Sequence, residues 1–136
     1  MIFKIILGLA LFIFGLRLLS LSLRNLANPE WLVSIDNPYA MFLIAIVVTL
    51  IVQSSSVTTS LLVVLVSSGQ LTLATVIGGI VGANIGTTGT AWATYLITGL
   101  ERSAFHAAVM HSAFNFSMAI MVLPFARQLA NLISRL

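Results

Sequence analysis

From Asn37 through Leu100 the chain carries no Asp, Glu, Lys, Arg or His, and this run constrains the fold more than any other feature. A stretch so long and so apolar cannot be wrapped inside the water-soluble core that 136 residues could build. Lipid is the solvent that suits it. Only 7% of the residues are charged and 60% are hydrophobic, with a mean hydropathy of +1.14. The reading is an all-α membrane protein, a single membrane domain over residues 1–136.

The net charge of +3 and the pI near 10.2 could point to nucleic acid. The six basic residues are scattered, however, and sit mostly at the ends of apolar segments, which fits interfacial anchoring and no nucleic-acid partner. Cysteine is absent, so neither disulfides nor thiolate metal sites can be argued.

Ile2 to Leu23 is long enough to cross the hydrocarbon, with Gly8 and Gly15 on one face and Arg17 placed to snorkel. It is read as a retained helix, because Arg17 interrupts it and no small-x-small cleavage site follows. A polar loop over Arg24–Asn37 comes next, with Trp31 and Tyr39 suited to an aromatic belt. Asn37-Pro38 reads as an N-cap and first helical residue, opening a helix through Val52. At 1.5 Å per residue that helix reaches about 22 Å against a core of about 30 Å, so it should stop inside the membrane.

Gln53-Ser54-Ser55-Ser56 follows as a polar knot, and the next apolar run, Val57 to Val66, is again too short to span. Two short arms around a polar tip describe a re-entrant helical hairpin, whereas one long helix would expose the polar residues to lipid. A third run from Leu71 closes on Gly82-Ala83-Asn84-Ile85-Gly86-Thr87-Thr88-Gly89-Thr90 and resumes to Thr98. Its glycines and Asn84 suggest one crossing with an unwound middle. Ala74, Gly78, Gly82 and Gly86 repeat every four residues, a seam along which another helix can come close, and packing is the better account of Gly78 and Gly82. Ala104 to Leu123 can span, Pro124 ends it, and Phe125 to Leu136 reads as an amphipathic interfacial tail.

Where a helix breaks in lipid, its freed backbone groups must face protein, water or a ligand. The arm beginning near Ser55 offers free N–H groups, a positive dipole end and the hydroxyls of Ser55, Ser56 and Thr58, which is chemistry for an oxyanion. The arm before it ends in the carbonyls of Thr49 to Val52 beside the Gln53 amide, which suit a hard cation such as sodium. Asn84, Thr87, Thr88 and Thr90 repeat the arrangement. No ionisable relay exists between Asn37 and Leu100, which argues against proton coupling. His111, one turn before Asn115, is read as a packing residue, and His106 lies nearer the interface. No acidic pair, transition-metal cluster or GxxxxGK[ST] loop is present, so the chain is read as no enzyme.

Gln53-Ser54-Ser55-Ser56 after a short apolar helix, then Gly82-Ala83-Asn84-Ile85-Gly86-Thr87-Thr88 about 25 residues later, resembles the type II sodium/phosphate cotransporter family. The resemblance implies alternating access around a midplane site and no cofactor beyond sodium as coupling ion. It implies substrate binding at Ser54, Ser55, Ser56, Thr58, Thr87 and Thr88, and sodium binding at Gln53, Ser54, Asn84, Thr87 and Thr88. A multi-pass cell-membrane location goes with it, the inner membrane if the source is a bacterium.

The resemblance implies that family members of ordinary length hold this unit twice, in opposite orientations, whereas this sequence shows one copy and is read as having no soluble regulatory domain after it. The first helix, the broken crossing and the last helix give an odd number of crossings, so a tandem copy would come out inverted. The expectation is an inverted-repeat dimer, two chains inserted in opposite senses as an antiparallel homodimer. Lys4 and Arg102 fall on one side and Arg17, Arg24, Arg127 and Arg135 on the other, a modest bias against dual topology. A non-transporting assembly subunit, a half-carrier paired with a different half, and another small oxyanion as substrate remain alternatives.

Overall fold

A computed structural model describes residues 2–25 and 34–135, and no strand occurs among them. The chain forms two compact units, Met1–Ser34 and Ile35–Leu136. The first holds helix α1, Ile2–Asn25, whose 24 residues measure about 36 Å. Ile5, Leu9 and Phe14 are among its exposed large apolar side chains. Trp31, most of the expected 24–37 loop and the side chain of Arg17 lie outside what is described.

The second unit contains α2 (Pro38–Val52), α3 (Ser55–Ser67), α4 (Leu73–Ile97), α5 (Arg102–Val122), a 3-10 turn at Leu123–Phe125 and α6 (Ala126–Ile133). Local chemistry explains most of the boundaries. Asn37 caps α2 in extended conformation, its Oδ1 accepting from the N–H groups of Tyr39 at 2.9 Å and Ala40 at 3.4 Å, and Pro38 fills the first helical position. Gln53 ends α2 in the left-handed region at φ 56°, its N–H returning to Thr49 O at 2.7 Å. Ser54 then caps α3 through its hydroxyl and the N–H of Val57. Gly69, at φ 73°, turns the chain after α3. Thr72 caps α4. Pro124 ends α5 in the 3-10 turn, as expected from its missing N–H.

The glycine seam decides how these helices meet. A Cβ built on Gly78 would stand 2.1 Å from Pro38 O, one on Gly82 2.1 Å from Phe42 O, and one on Gly86 2.8 Å from Ile46 O. The pairs advance four residues at a time along both helices, so α2 and α4 run parallel with backbone against backbone. The chain doubles back between them, as the hydroxyl contact of Thr49 with Thr58 at 2.9 Å requires, and Leu62 of α3 packs over Gly79. On another side of α4, Trp92 Nε1 donates to Ser112 Oγ at 3.0 Å and Asn115 Nδ2 to Asn84 O at 3.0 Å. That order makes α5 antiparallel to α4. Val81, Ile85 and Ala119 form the core there, with Phe42, Ile46 and Val122 against them.

The expected break in the third crossing does not occur: α4 is one continuous helix of 25 residues. Each glycine costs about 1 kcal/mol of helix propensity relative to alanine, but α2 packs directly on Gly82 and Gly86, and that packing holds them helical. The hydroxyls bond within the helix as well, Thr87 to Ala83 O at 3.0 Å and Thr88 to Ile85 O at 2.7 Å. No backbone is released to a ligand along this stretch.

Large apolar side chains point outward throughout the unit, Leu43, Ile51, Ile97, Met110 and Ile120 among them, a surface that suits lipid or a protein partner. Arg102–Ile133, with mean hydropathy 1.5, is the one described helical stretch that is long and apolar enough to cross a membrane, while Pro38–Val52 and Ser55–Ser67 are shorter apolar helices.

Candidate functional site

The polar tip between α2 and α3 lies beside the second half of α4. Gly86 packs on Thr49, and Thr90 Oγ1 donates to Gln53 Oε1 at 2.7 Å. The side-chain N–H of Gln53 also donates to Leu50 O. Gln53 thus caps the α2 carbonyl end and ties it to α4. Two of the four carbonyls expected to be free at that end, Thr49 O and Leu50 O, are taken inside the chain.

Thr58 is 3% exposed and fully engaged: its hydroxyl donates to Ser54 O at 3.2 Å and accepts from Thr49. It braces the hairpin. Ser54 Oγ accepts from Val57 N at 3.4 Å, whereas no described group holds the hydroxyls of Ser55 and Ser56. These two are the free donors at the start of α3, where unpaired N–H groups and the dipole favour an anion.

On α4 the candidates divide. Thr87 is half-buried and Thr88 buried. Their hydroxyl protons are spent on helix carbonyls, so their oxygens remain as acceptors, a state suited to a cation. Asn84 lies two residues from Gly86, about 200° round the helix from the α2 contact. Its side chain lines a cavity of about 270 Å³ with Asn115, Phe114 and Met118, between α4 and α5. The structure therefore gathers Gln53, Ser54, Ser55, Ser56 and Thr58 at the tip, and sets Asn84 on a different face of α4.

Thr90, read from the sequence only as one more oxygen beside Asn84, Thr87 and Thr88, makes the tip's main cross-helix bond. The signal was present: Thr90 is the next four-residue step of the seam through Gly78, Gly82 and Gly86. Asn115 is 7% exposed and holds Asn84 by its backbone, and His111 is half-buried one turn away. Among the described residues no group of three His, Cys, Asp or Glu could hold a metal ion.

Residues 11–135 match the family model described as Na+/Pi-cotransporter. The chain belongs to that family. It is 39% identical over 94 residues to sodium-dependent phosphate transport protein 2A of Rattus norvegicus, and 40% identical over 93 residues to sodium-dependent phosphate transport protein 2B of Homo sapiens. These alignments cover 66% and 65% of this chain but only 15% and 14% of the relatives, so the chain matches about one seventh of their length. The relatives are named as transport proteins, not enzymes, and the Na+/Pi-cotransporter family places the chain among membrane proteins. No solved structure matches it.

Proposed function

We propose that the chain is a multi-pass cell-membrane protein, one membrane domain over 1–136, that carries phosphate coupled to sodium by alternating access. The observation that carries this reading is the hairpin tip: a helix end and a helix start meet at Gln53 and Ser54, with the Ser55 and Ser56 hydroxyls unengaged, in a chain of the Na+/Pi-cotransporter family. In this proposal α2 and α3 form a re-entrant hairpin. Phosphate is held by the N–H groups at the start of α3 with Ser54, Ser55 and Ser56, and Thr58 stiffens the tip beneath it. Thr87 adds to this site from α4, and Thr88, one turn after Asn84 on the same face of the helix, joins it with Asn84 when the site is assembled. Sodium is held by oxygens of Gln53, Ser54 and Thr87, and by Asn84 and Thr88 when the site is assembled. Neutral oxygens suit a hard monovalent cation and need no further cofactor.

Gln53 and Ser56 are exposed on the single chain, and Ile51 beside them is 77% exposed. A polar tip facing hydrocarbon is costly. We assign its cover to a second copy in the opposite sense, so that the working unit is an antiparallel, inverted-repeat homodimer with two tips around one shared site.

Uptake of labelled phosphate into proteoliposomes holding only this protein, with and without a sodium gradient, tests the reading. Uptake that requires the gradient is expected. Absent or gradient-independent uptake overturns it and favours an assembly subunit or a half-carrier needing a different half.

A further inference from the structure

At the opposite end of α2 from the tip, a cavity of about 560 Å³ opens between the start of α2 and the α5–α6 turn. Its polar lining offers donors: Arg127, Gln128 and Asn131 from α6, with Asn37 and Tyr39 from the start of α2. Asn37 spends its Oδ1 on capping α2, which leaves its NH2 group as a donor. The side chains of Arg127, Gln128 and Asn131 bond no other described residue, and among the described residues no carboxylate lines the cavity. Leu123 and Pro124 form an apolar wall on one side.

Position gives this chemistry a context. Ala126 and Ala130 are the buried side of α6, while Arg127, Gln128 and Asn131 are exposed. A short amphipathic helix directly after a membrane-length helix lies in the plane of the interface with its polar side toward water. With α6 in that plane the cavity would open at headgroup depth, next to the exposed apolar side chains of Ile120, Met121 and Phe125.

We propose that this cavity binds the phosphate-bearing headgroup of an anionic membrane lipid. The Arg127 guanidinium pairs with the phosphate oxygens, the amides of Asn37, Gln128 and Asn131 serve the remaining oxygens, and an acyl chain leaves over Leu123 and Pro124. Inorganic phosphate shares the recognised group. One guanidinium matches the single charge of a phosphodiester, and the apolar wall serves a lipid but not a free dianion. The inference depends on the membrane character of the chain and not on transport, so it stands or falls separately from the proposed function.

Native mass spectrometry of the detergent-purified protein, titrated with phosphatidylglycerol or phosphatidylcholine, tests it. Wild type should prefer phosphatidylglycerol. Arg127→Gln should weaken that lipid about 5-fold, and Asn131→Leu should weaken it as well. Arg135→Gln, two residues past the end of α6 and outside the cavity, should leave it unchanged, with circular dichroism confirming helix content in each variant. Equal losses from Arg127→Gln and Arg135→Gln reduce the effect to general surface charge and overturn the site. So does an absence of preference between the two lipids. Displacement of phosphatidylglycerol by inorganic phosphate at comparable concentration assigns the cavity to the free anion and overturns the lipid reading.

Discussion

Thr90 Oγ1 donates a hydrogen bond of 2.7 Å to Oε1 of Gln53, across 37 residues of sequence. This bond joins the hairpin tip to α4 by side chains, and it orients the one amide oxygen at the end of α2. Thr90→Val keeps the shape and removes the donor. It should cost about 1 kcal/mol of stability and raise the sodium concentration needed for half-maximal phosphate uptake. Thermal unfolding and a sodium titration of uptake check the two effects, and an unchanged titration removes Gln53 from ion coupling.

Gly82→Ala should be among the most damaging single methyl additions in the chain, since the new Cβ would stand 2.1 Å from the carbonyl oxygen of Phe42, a backbone atom with little room to yield. A loss of about 1–3 kcal/mol is expected from such overpacking. Gly8→Ala is the control, because nothing lies within 4 Å of its Cβ. Thermal unfolding of both variants in the same detergent should separate them clearly.

Ser55→Ala and Ser56→Ala should each weaken phosphate binding about tenfold, the effect of losing a hydrogen bond to a charged group, with little change in melting temperature because neither hydroxyl is used within the described structure. Thr58→Ala should do the reverse, lowering stability through loss of the Thr49 contact. Isothermal titration with phosphate beside thermal unfolding reads both. Wild-type affinity in both serine variants takes the tip out of the substrate site.

The contrast between tip and brace shows what could be read from residues in a row. The start of α2 at Asn37 and Pro38, its end at Val52, the polar turn and the stop at Pro124 all follow from caps and imino-acid geometry, which act within a few residues, and they stand where the sequence puts them. The continuity of α4 could not be read in that way. Gly82 and Gly86 weaken a helix considered alone, and only the approach of α2, more than thirty residues earlier in the chain, turns them into contact points. The same limit applies to the site. Ser55 and Ser56 are where local logic places free donors, but the commitment of Thr58 to Thr49 and the turning of Asn84 toward α5 depend on neighbours that sequence spacing does not reveal.

Antiparallel pairing requires both orientations in one membrane. Ser134 is exposed just after α6, so Ser134→Cys, in a chain with no other cysteine, gives one reporter. About half of the molecules should be labelled from outside intact cells by a membrane-impermeant maleimide. A population labelled entirely or not at all excludes the antiparallel pair.

The stacking of α4 glycines on the carbonyls of Pro38, Phe42 and Ile46 also has a mechanical side. Because backbone stands against backbone at these three points, a slide of α2 along α4 is predicted to go in whole-turn ratchet steps of about 5.4 Å, each lifting three contacts at once. Leu62, which seats α3 over Gly79, touches it through the tips of a flexible side chain. The first arm of the hairpin is therefore clamped as a frame and the second is the piece free to rock, so any working stroke of the tip is predicted to pivot at Gln53 and Ser54 and to be carried by α3.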